Sequence, residues 1–78
     1  MVKTINKNLT PKVILVKWNE DLEKIISFLK LGQEVIVNVS LISLKDMYRI
    51  VYFISGFVFS YGGKKTKIEE KIYMFKLW

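Results

Sequence analysis

The side chains best suited to recognition chemistry in this sequence are two cations and three aromatic rings spaced along one predicted helix. Lys45, Arg49 and Phe53 recur at every fourth position, and Tyr48 and Tyr52 form a neighbouring row. Residues four apart lie on one face of a helix. Cations there can pair with carboxylates and rings can take apolar anchors, so this surface suits a short peptide that is both acidic and apolar. The same pattern equally suits dimerisation through this helix.

The composition gives catalysis and metal binding little support. The chain has no cysteine and no histidine, which removes disulfides, thiolate nucleophiles and imidazole bases or ligands. The seven acidic residues fall at predicted helix starts and strand ends, where the helix dipole or solvent accounts for them. We therefore predict a protein that is not an enzyme and has no cofactor or metal.

A basic segment follows a pair of glycines. Gly62 and Gly63 predict a tight hairpin turn, because such turns need the positive φ that glycine adopts freely. Lys64, Lys65 and Lys67 then lie on a predicted edge strand, where lysines discourage uncontrolled strand pairing. Together with the net charge of +6, they leave a small nucleic-acid-binding module as the alternative function. The absence of an RNP-like or GXXG pattern argues against nucleic acid as a partner.

The sequence predicts two helices with caps at both ends. The first spans residues 20–31, after Asn19 as N-cap and before Gly32. The second begins after Ser43, with Asp46 as its capping-box partner, and is predicted to end at Gly56. Its core-facing stripe is predicted to comprise Leu44, Met47, Ile50, Val51 and Ile54.

The two predicted helices differ in what remains outside the core stripe. The first carries charged and small polar residues there, as an ordinary surface helix does. The second carries Tyr48, Tyr52 and Phe53. Either these rings widen the core contact, or they form a second apolar face that a partner covers. We favour the partner, because one short chain contains both kinds of helix.

The remaining apolar segments predict strands, at residues 12–17, 34–39, 57–61, 64–68 and 71–77. The first is apolar without interruption, which predicts a strand in the middle of the sheet or covered on both sides. The predicted fold is α+β, a two-layer α/β sandwich in the order β-α-β-α-β-β-β, with a five-stranded mixed sheet and two helices. If both helices lie on one face of the sheet, the other face is left to pack against another chain.

The domain organisation is simple. Residues 1–11 are predicted to be a basic, disordered leader, and residues 12–78 a single globular domain. No apolar run has the length of a membrane span, and the leader lacks the apolar region of a signal peptide, which predicts a cytoplasmic protein.

The run from residue 34 to residue 75 resembles the core domain of the SepF family of cell-division proteins. The resemblance lies in V-N-V at residues 37–39, R-I-V-Y-F-I-S-G at 49–56, the glycine pair at 62–63, and K-I-E-E-K-I-Y-M at 67–74. These motifs have the order and spacing of the family pattern.

The resemblance implies a non-enzymatic adaptor that binds the acidic and hydrophobic C-terminal tail of FtsZ at the division site. It also implies homodimers that assemble further into arcs or rings. Carried over to this sequence, Arg49 is the cation and Phe53 the apolar anchor for the FtsZ tail, with Lys45, Tyr48 and Tyr52 beside them.

The resemblance also places Gly56, with Phe57, at a dimer contact. A glycine there lets two backbones approach closely, and it suits the end of a helix equally well. SepF proteins usually begin with a membrane-inserting helix, whereas here only MVKTINKNLTPK precedes the first strand. Membrane contact is therefore expected to be indirect or through a missing N-terminal segment. Tyr52 and Glu69 replace an acidic residue and a glycine that are common in the family.

Overall fold

The fold is a four-stranded sheet with two helices, given by a computed structural model that describes residues 11–78. In chain order the elements are β1 (Lys12–Leu15), α1 (Glu20–Lys30), β2 (Val35–Asn38), α2 (Leu44–Ser60), β3 (Lys64–Glu69) and β4 (Ile72–Lys76). The strand order is β1-β2-β4-β3. β1 and β2 are parallel, and β4 is antiparallel to both β2 and β3. The α+β class with a mixed sheet and two helices is confirmed, but the prediction of five strands was wrong. The predicted leader, apart from Pro11, lies outside the described residues.

Both helices pack on one face of the sheet, around a single core. On that face Ile14 lies opposite Val37, which in turn lies opposite Tyr73. The buried apolar residues are Ile14, Val16, Ile25, Leu29, Val35, Val37, Val39, Met47, Ile50, Val51, Ile54, Val58, Tyr73, Phe75 and Leu77. Alternation along each strand selects these sheet residues, and helical spacing selects those of α1 and α2.

Among residues 11–78, no element covers the opposite face of the sheet. It contains Val13, paired across the sheet with Ile36, which is paired with Met74. Val13 is 67% exposed, and Leu15 on the same face is 41% exposed. The prediction of a β1 covered on both sides or lying mid-sheet was therefore wrong, because β1 is an edge strand with one bare face.

The start of α1 is held by a carboxylate rather than by the predicted N-cap. Asn19 makes no capping hydrogen bond with its side chain. Instead, the Asp21 Oδ2 atom accepts hydrogen bonds from the backbone N–H groups of Lys17, at 2.7 Å, and Trp18, at 3.1 Å. The hydrogen bond from Lys17 is the main cause that lowers the pKa of Asp21, and it outweighs the opposing effect of burial.

The start of α2 follows the prediction at its cap and departs from it in the first turn. The Ser43 Oγ atom accepts a hydrogen bond from the Asp46 N–H at 3.1 Å, which confirms Ser43 as N-cap. The predicted core position Leu44 is wrong, since this residue is 54% exposed. Leu44 is the first residue of the helix, and the buried stripe of α2 begins only at Met47.

The end of α2 lies one turn later than predicted. The helix passes through Gly56 and includes residues 57–60, which were predicted as a strand. Val51, Ile54, Ser55 and Val58 are all buried, so helical spacing continues past Gly56. Packing of this stripe outweighs the cost of about 1 kcal/mol for glycine inside a helix. The alternation of rings at residues 57, 59 and 61 was therefore misinterpreted as a strand.

The glycine pair ends α2 and is not the predicted hairpin turn. Gly62 has φ of +76°, and the N–H groups of Gly62 and Gly63 donate to the carbonyls of Phe59, at 3.0 Å, and Val58, at 2.9 Å. This is the geometry in which glycine closes a helix. A Cβ atom on Gly63 would collide with the Lys76 carbonyl. The hairpin instead joins β3 to β4 through the turn at residues 70–71.

Candidate functional site on helix α2

Three aromatic rings project from the outer surface of α2 into solvent. Tyr48 is 47% exposed, Tyr52 66% and Phe53 56%. The rings of Tyr48 and Tyr52 stack on each other, with centroids 5.9 Å apart and planes 20° apart. The rings are thus not part of the core, which leaves them free to contact another molecule.

Arg49 lies beside these rings and is oriented by contacts with both helices. Its Nη2 atom donates a hydrogen bond to the Asn19 Oδ1 atom at 3.0 Å, at the start of α1. The same nitrogen lies 3.5 Å from Asp46 Oδ1. A guanidinium has five N–H donors, so these contacts fix the direction of the side chain and leave donors for a carboxylate. Asn19, predicted as a cap, thus serves to hold Arg49.

Arg49 also lines an open cleft of about 370 Å³ where β1 ends and both helices begin. The cleft combines an apolar floor with polar walls. Its lining residues are Val16, Lys17, Trp18, Asn19, Glu20, Ile42, Asp46, Arg49 and Ile50. Trp18 and Ile42 were not predicted from the sequence, because no spacing rule links them to α2. The exposure of Trp18, at 67%, makes it a further ring that a ligand in this cleft can reach.

Phe53 lies one helical turn from Arg49 and lines a second groove. This groove, of about 450 Å³, runs between α1 and α2. Its other lining residues are Leu22, Glu23, Ile26 and Ser27. Arg49 and Phe53 therefore both face the seam between the helices, whereas Tyr48 and Tyr52 form a row beside it. Lys45, in the first turn of α2, is exposed and extends the row of Arg49 and Phe53.

Gly56 and Phe57, the predicted dimer contact, have different environments. Gly56 is exposed, and a Cβ atom built on it would meet nothing within 4 Å. Phe57 is half-buried against the core, and its ring lies 5.0 Å from that of Tyr61. Gly56 thus provides a shallow notch on the surface of α2, while the Phe57 side chain packs largely against the core of its own chain.

The last turn of α2 adds apolar surface that the sequence interpretation missed. Phe59 and Tyr61 are each 56% exposed. Both residues were predicted to lie in a strand, with their side chains on one face of the sheet. Their position at the end of α2 extends its exposed aromatic surface along the helix.

Neither a membrane span nor a metal site is found among residues 11–78. The helices in this part of the chain are too short or too polar to cross a bilayer. The acidic side chains in the same range do not gather into a group that could ligate a metal. Recognition through rings, cations and apolar clefts is the chemistry that the described surface offers.

Comparison with known proteins identifies the family. The model of the family described as cell division protein SepF matches residues 12–76. The match covers all four strands and both helices. No curated protein matches the chain. Since the family match extends over most of the sequence, the chain belongs to the SepF family of cell-division proteins.

Proposed function

We propose that this chain is a non-enzymatic cell-division adaptor that binds the C-terminal tail of FtsZ on α2 and associates with copies of itself. The observation that carries the proposal is the exposure of Tyr48, Tyr52 and Phe53 beside Arg49. A tail that is acidic and hydrophobic needs cations for its carboxylates and rings for its apolar side chains.

The geometry suggests how such a tail binds. Arg49 is already directed by Asn19 and Asp46, so a carboxylate can pair with its remaining donors at little cost in side-chain entropy. Phe53, one turn away in the groove between the helices, takes an apolar side chain of the same peptide. Lys45 adds charge at the start of the row, which favours an acidic partner.

Titration of the 78-residue chain with an FtsZ tail peptide tests the proposal. We expect Phe53→Ala to weaken the complex by about 1 to 3 kcal/mol, as loss of an interface anchor does. Arg49→Glu should weaken it further by placing a carboxylate where the peptide's acid binds. Isothermal calorimetry measures both changes.

The chain offers matched controls for both variants. Leu31, just after α1, is 74% exposed and lines neither groove, so Leu31→Ala should leave the affinity for the peptide unchanged. Lys30→Glu makes the same change in charge at an exposed site on α1. No binding by the unaltered chain, or equal losses in Phe53→Ala and Leu31→Ala, would contradict the proposed site.

Self-association has two candidate surfaces. The bare sheet face presents Val13, Leu15, Ile36 and Met74, all partly or largely exposed, and two such faces can pack as sheets do in a sandwich. The notch at Gly56, with Phe57 beside it, allows a second helix to approach α2. Two-fold pairing through one surface gives a closed dimer, so arcs or rings require the second surface as well.

Light scattering at several concentrations tests this arrangement. Met74→Glu places a charge on the sheet face, and Gly56→Glu fills the notch on α2. We expect each variant alone to retain dimers and the double variant to be monomeric. A monomeric unaltered chain at high concentration would contradict the proposal. In the cell, we propose that the adaptor acts at the division site and reaches the membrane through a partner or a segment outside residues 11–78.

A further inference from the structure

We infer that the outer edge of β3 is a docking site for an extended acidic segment of a protein partner. β3 is an edge strand, so one side of its backbone has N–H and C=O groups that no other strand of the described chain uses. An extended peptide can pair with these groups as an added strand. All six residues of β3 are exposed, which leaves this edge accessible.

The lysines of β3 lie on both faces of the strand. Lys65 is paired with Phe75 and Lys67 with Tyr73, which places both lysines on the side of the helices. Lys64 is paired with Lys76, on the bare side of the sheet. A strand laid against this edge has side chains that alternate between the same two sides. Its carboxylates would therefore meet ammonium groups on either side.

The charge of this edge is only partly neutralised within the described chain. Lys64 and Lys65 form no salt bridge with any residue of the range 11–78, whereas Lys67 lies 3.9 Å from Glu70. Glu70 has 87% of its side chain exposed, so its ion pair with Lys67 is weak and easily exchanged. An incoming carboxylate can take the place of Glu70.

The lysines of β3 also disfavour pairing of this edge with the β3 edge of a second copy of the chain. Two β3 strands side by side would bring lysines against lysines, which is unfavourable for directly opposed residues. At the other edge, β1 exposes Val13 and Leu15, and no comparable run of cations interrupts them. The two edges thus differ in the partner that they accept, and the β3 edge accepts opposite charge.

A peptide fits this edge better than a nucleic acid or a bilayer does. Binding of single-stranded nucleic acid relies on exposed rings that stack with bases. The rings paired with the lysines, Tyr73 and Phe75 on β4, are both buried, and the exposed rings of Phe59 and Tyr61 belong to the end of α2 rather than to the β3 edge. A bilayer surface supplies negative charge but no ordered row of backbone partners for β3. An extended acidic peptide supplies both.

The far end of β3 limits where the peptide lies. The ladder with β4 shifts register between Lys67 and Glu69, and Glu69 and Glu70 then make the hairpin tip acidic. An acidic peptide is repelled from that tip. Its contacts should therefore be confined to residues 64–67, and Glu70→Gln should strengthen binding by freeing Lys67.

The test uses the whole chain and a synthetic peptide of eight residues in which pairs of adjacent glutamates are separated by single valines, so that carboxylates lie on both faces of the extended strand. We expect saturable binding, with NMR shifts of backbone amides confined to residues 64–67. Replacing both Lys64 and Lys65 by glutamate should weaken the peptide about tenfold or more, because two attractive pairs become repulsive. Lys24→Glu with Lys30→Glu makes the same change in net charge on α1, away from β3, and should leave the affinity within about twofold.

A second peptide separates strand pairing from simple charge attraction. Methylation of the backbone nitrogens at every second residue keeps the charge and removes the ladder donors. We expect one of the two possible methylation patterns to abolish binding. Equal binding by both methylated peptides, or by the Lys64 and Lys65 double variant, would overturn the inference. Tighter binding of anionic vesicles or single-stranded DNA at this edge would also overturn it. None of these outcomes involves α2, so a failure of peptide binding at β3 can be distinguished from a failure of FtsZ binding on α2.

Discussion

The two helices of this domain pack into one core but differ in how much apolar surface they expose to solvent. α1 buries Ile25 and Leu29, and within α1 every large apolar side chain is at least half-buried. α2 buries a longer stripe and still leaves large apolar side chains exposed along its length. These are Leu44, Tyr48, Tyr52, Phe53 and Phe59. Because both helices pack on the same small sheet, domain size alone does not explain the difference. The excess belongs to α2, and it is the reason for proposing that this helix binds a partner.

The largest expected effects test whether the inner faces of the two helices are equivalent. Ile25 on α1 and Ile54 on α2 are both fully buried. We expect Ile25→Ala and Ile54→Ala each to lower the free energy of unfolding by about 2 to 5 kcal/mol, since each leaves a cavity in the core. Urea denaturation measures both. A small loss for Ile54→Ala alone would mean that α2 is held by something other than this core.

The ends of the helices give the next largest contrast. A Cβ atom on Gly63, after α2, would collide with the Lys76 carbonyl and approach Val58 Cγ1 to 2.8 Å. Gly63→Ala should therefore lower the free energy of unfolding by about 1 to 3 kcal/mol. Gly56→Ala, inside α2 where nothing lies within 4 Å, should raise it by up to about 1 kcal/mol. Thermal unfolding of the two variants should shift in opposite directions.

The starts of the helices should respond differently to acid. Asp21, in the first turn of α1, holds the segment before the helix through a carboxylate whose pKa is lowered below its ordinary value of 3.8, chiefly by the hydrogen bond from the Lys17 backbone. A lowered folded-state pKa means that this contribution is present above pH about 4 and is lost as the pH falls through the folded-state pKa. Asp21→Asn should cost about 1 kcal/mol at neutral pH, because a neutral amide oxygen accepts these hydrogen bonds more weakly than a carboxylate, and less in acid.

Ser43 provides the comparison for that acid response. Its hydroxyl caps α2 and does not titrate, so Ser43→Ala should cost about 1 kcal/mol at every pH. Unfolding measured between pH 2 and pH 7 separates the two variants. A cost of Asp21→Asn that stays constant over this range would contradict the assigned role of the carboxylate.

Local patterns in the sequence were sufficient for most of the fold. Apolar stripes and caps gave both helices, the Ser43 cap and the exposure of Tyr48, Tyr52 and Phe53. They failed where two patterns overlapped, at residues 57–60. Alternating rings and helical spacing were both present there, and burial of Val58 decided for the helix. That single error turned the glycine pair into a hairpin and added a fifth strand.

The position of elements in the sheet depends on contacts that spacing does not encode. The apolar run of β1 is equally compatible with a central strand and with an edge strand that has one exposed apolar face. The same limit applies to the site. The hydrogen bond between Arg49 and Asn19 joins residues thirty positions apart, and the cleft around Trp18 and Ile42 exists only once β1, α1 and α2 have packed together.

The most direct test of the account follows the side-chain NMR signals of both helices while FtsZ tail peptide is added. We expect the ring signals of Tyr48, Tyr52 and Phe53 to shift saturably, together with the Arg49 guanidinium. The exposed charged side chains of α1 that line neither groove, Lys24 and Lys30, should remain unchanged. Shifts confined to α1 or β3, or no shift at saturating peptide, would contradict the claim that the outer surface of α2 is built for a partner.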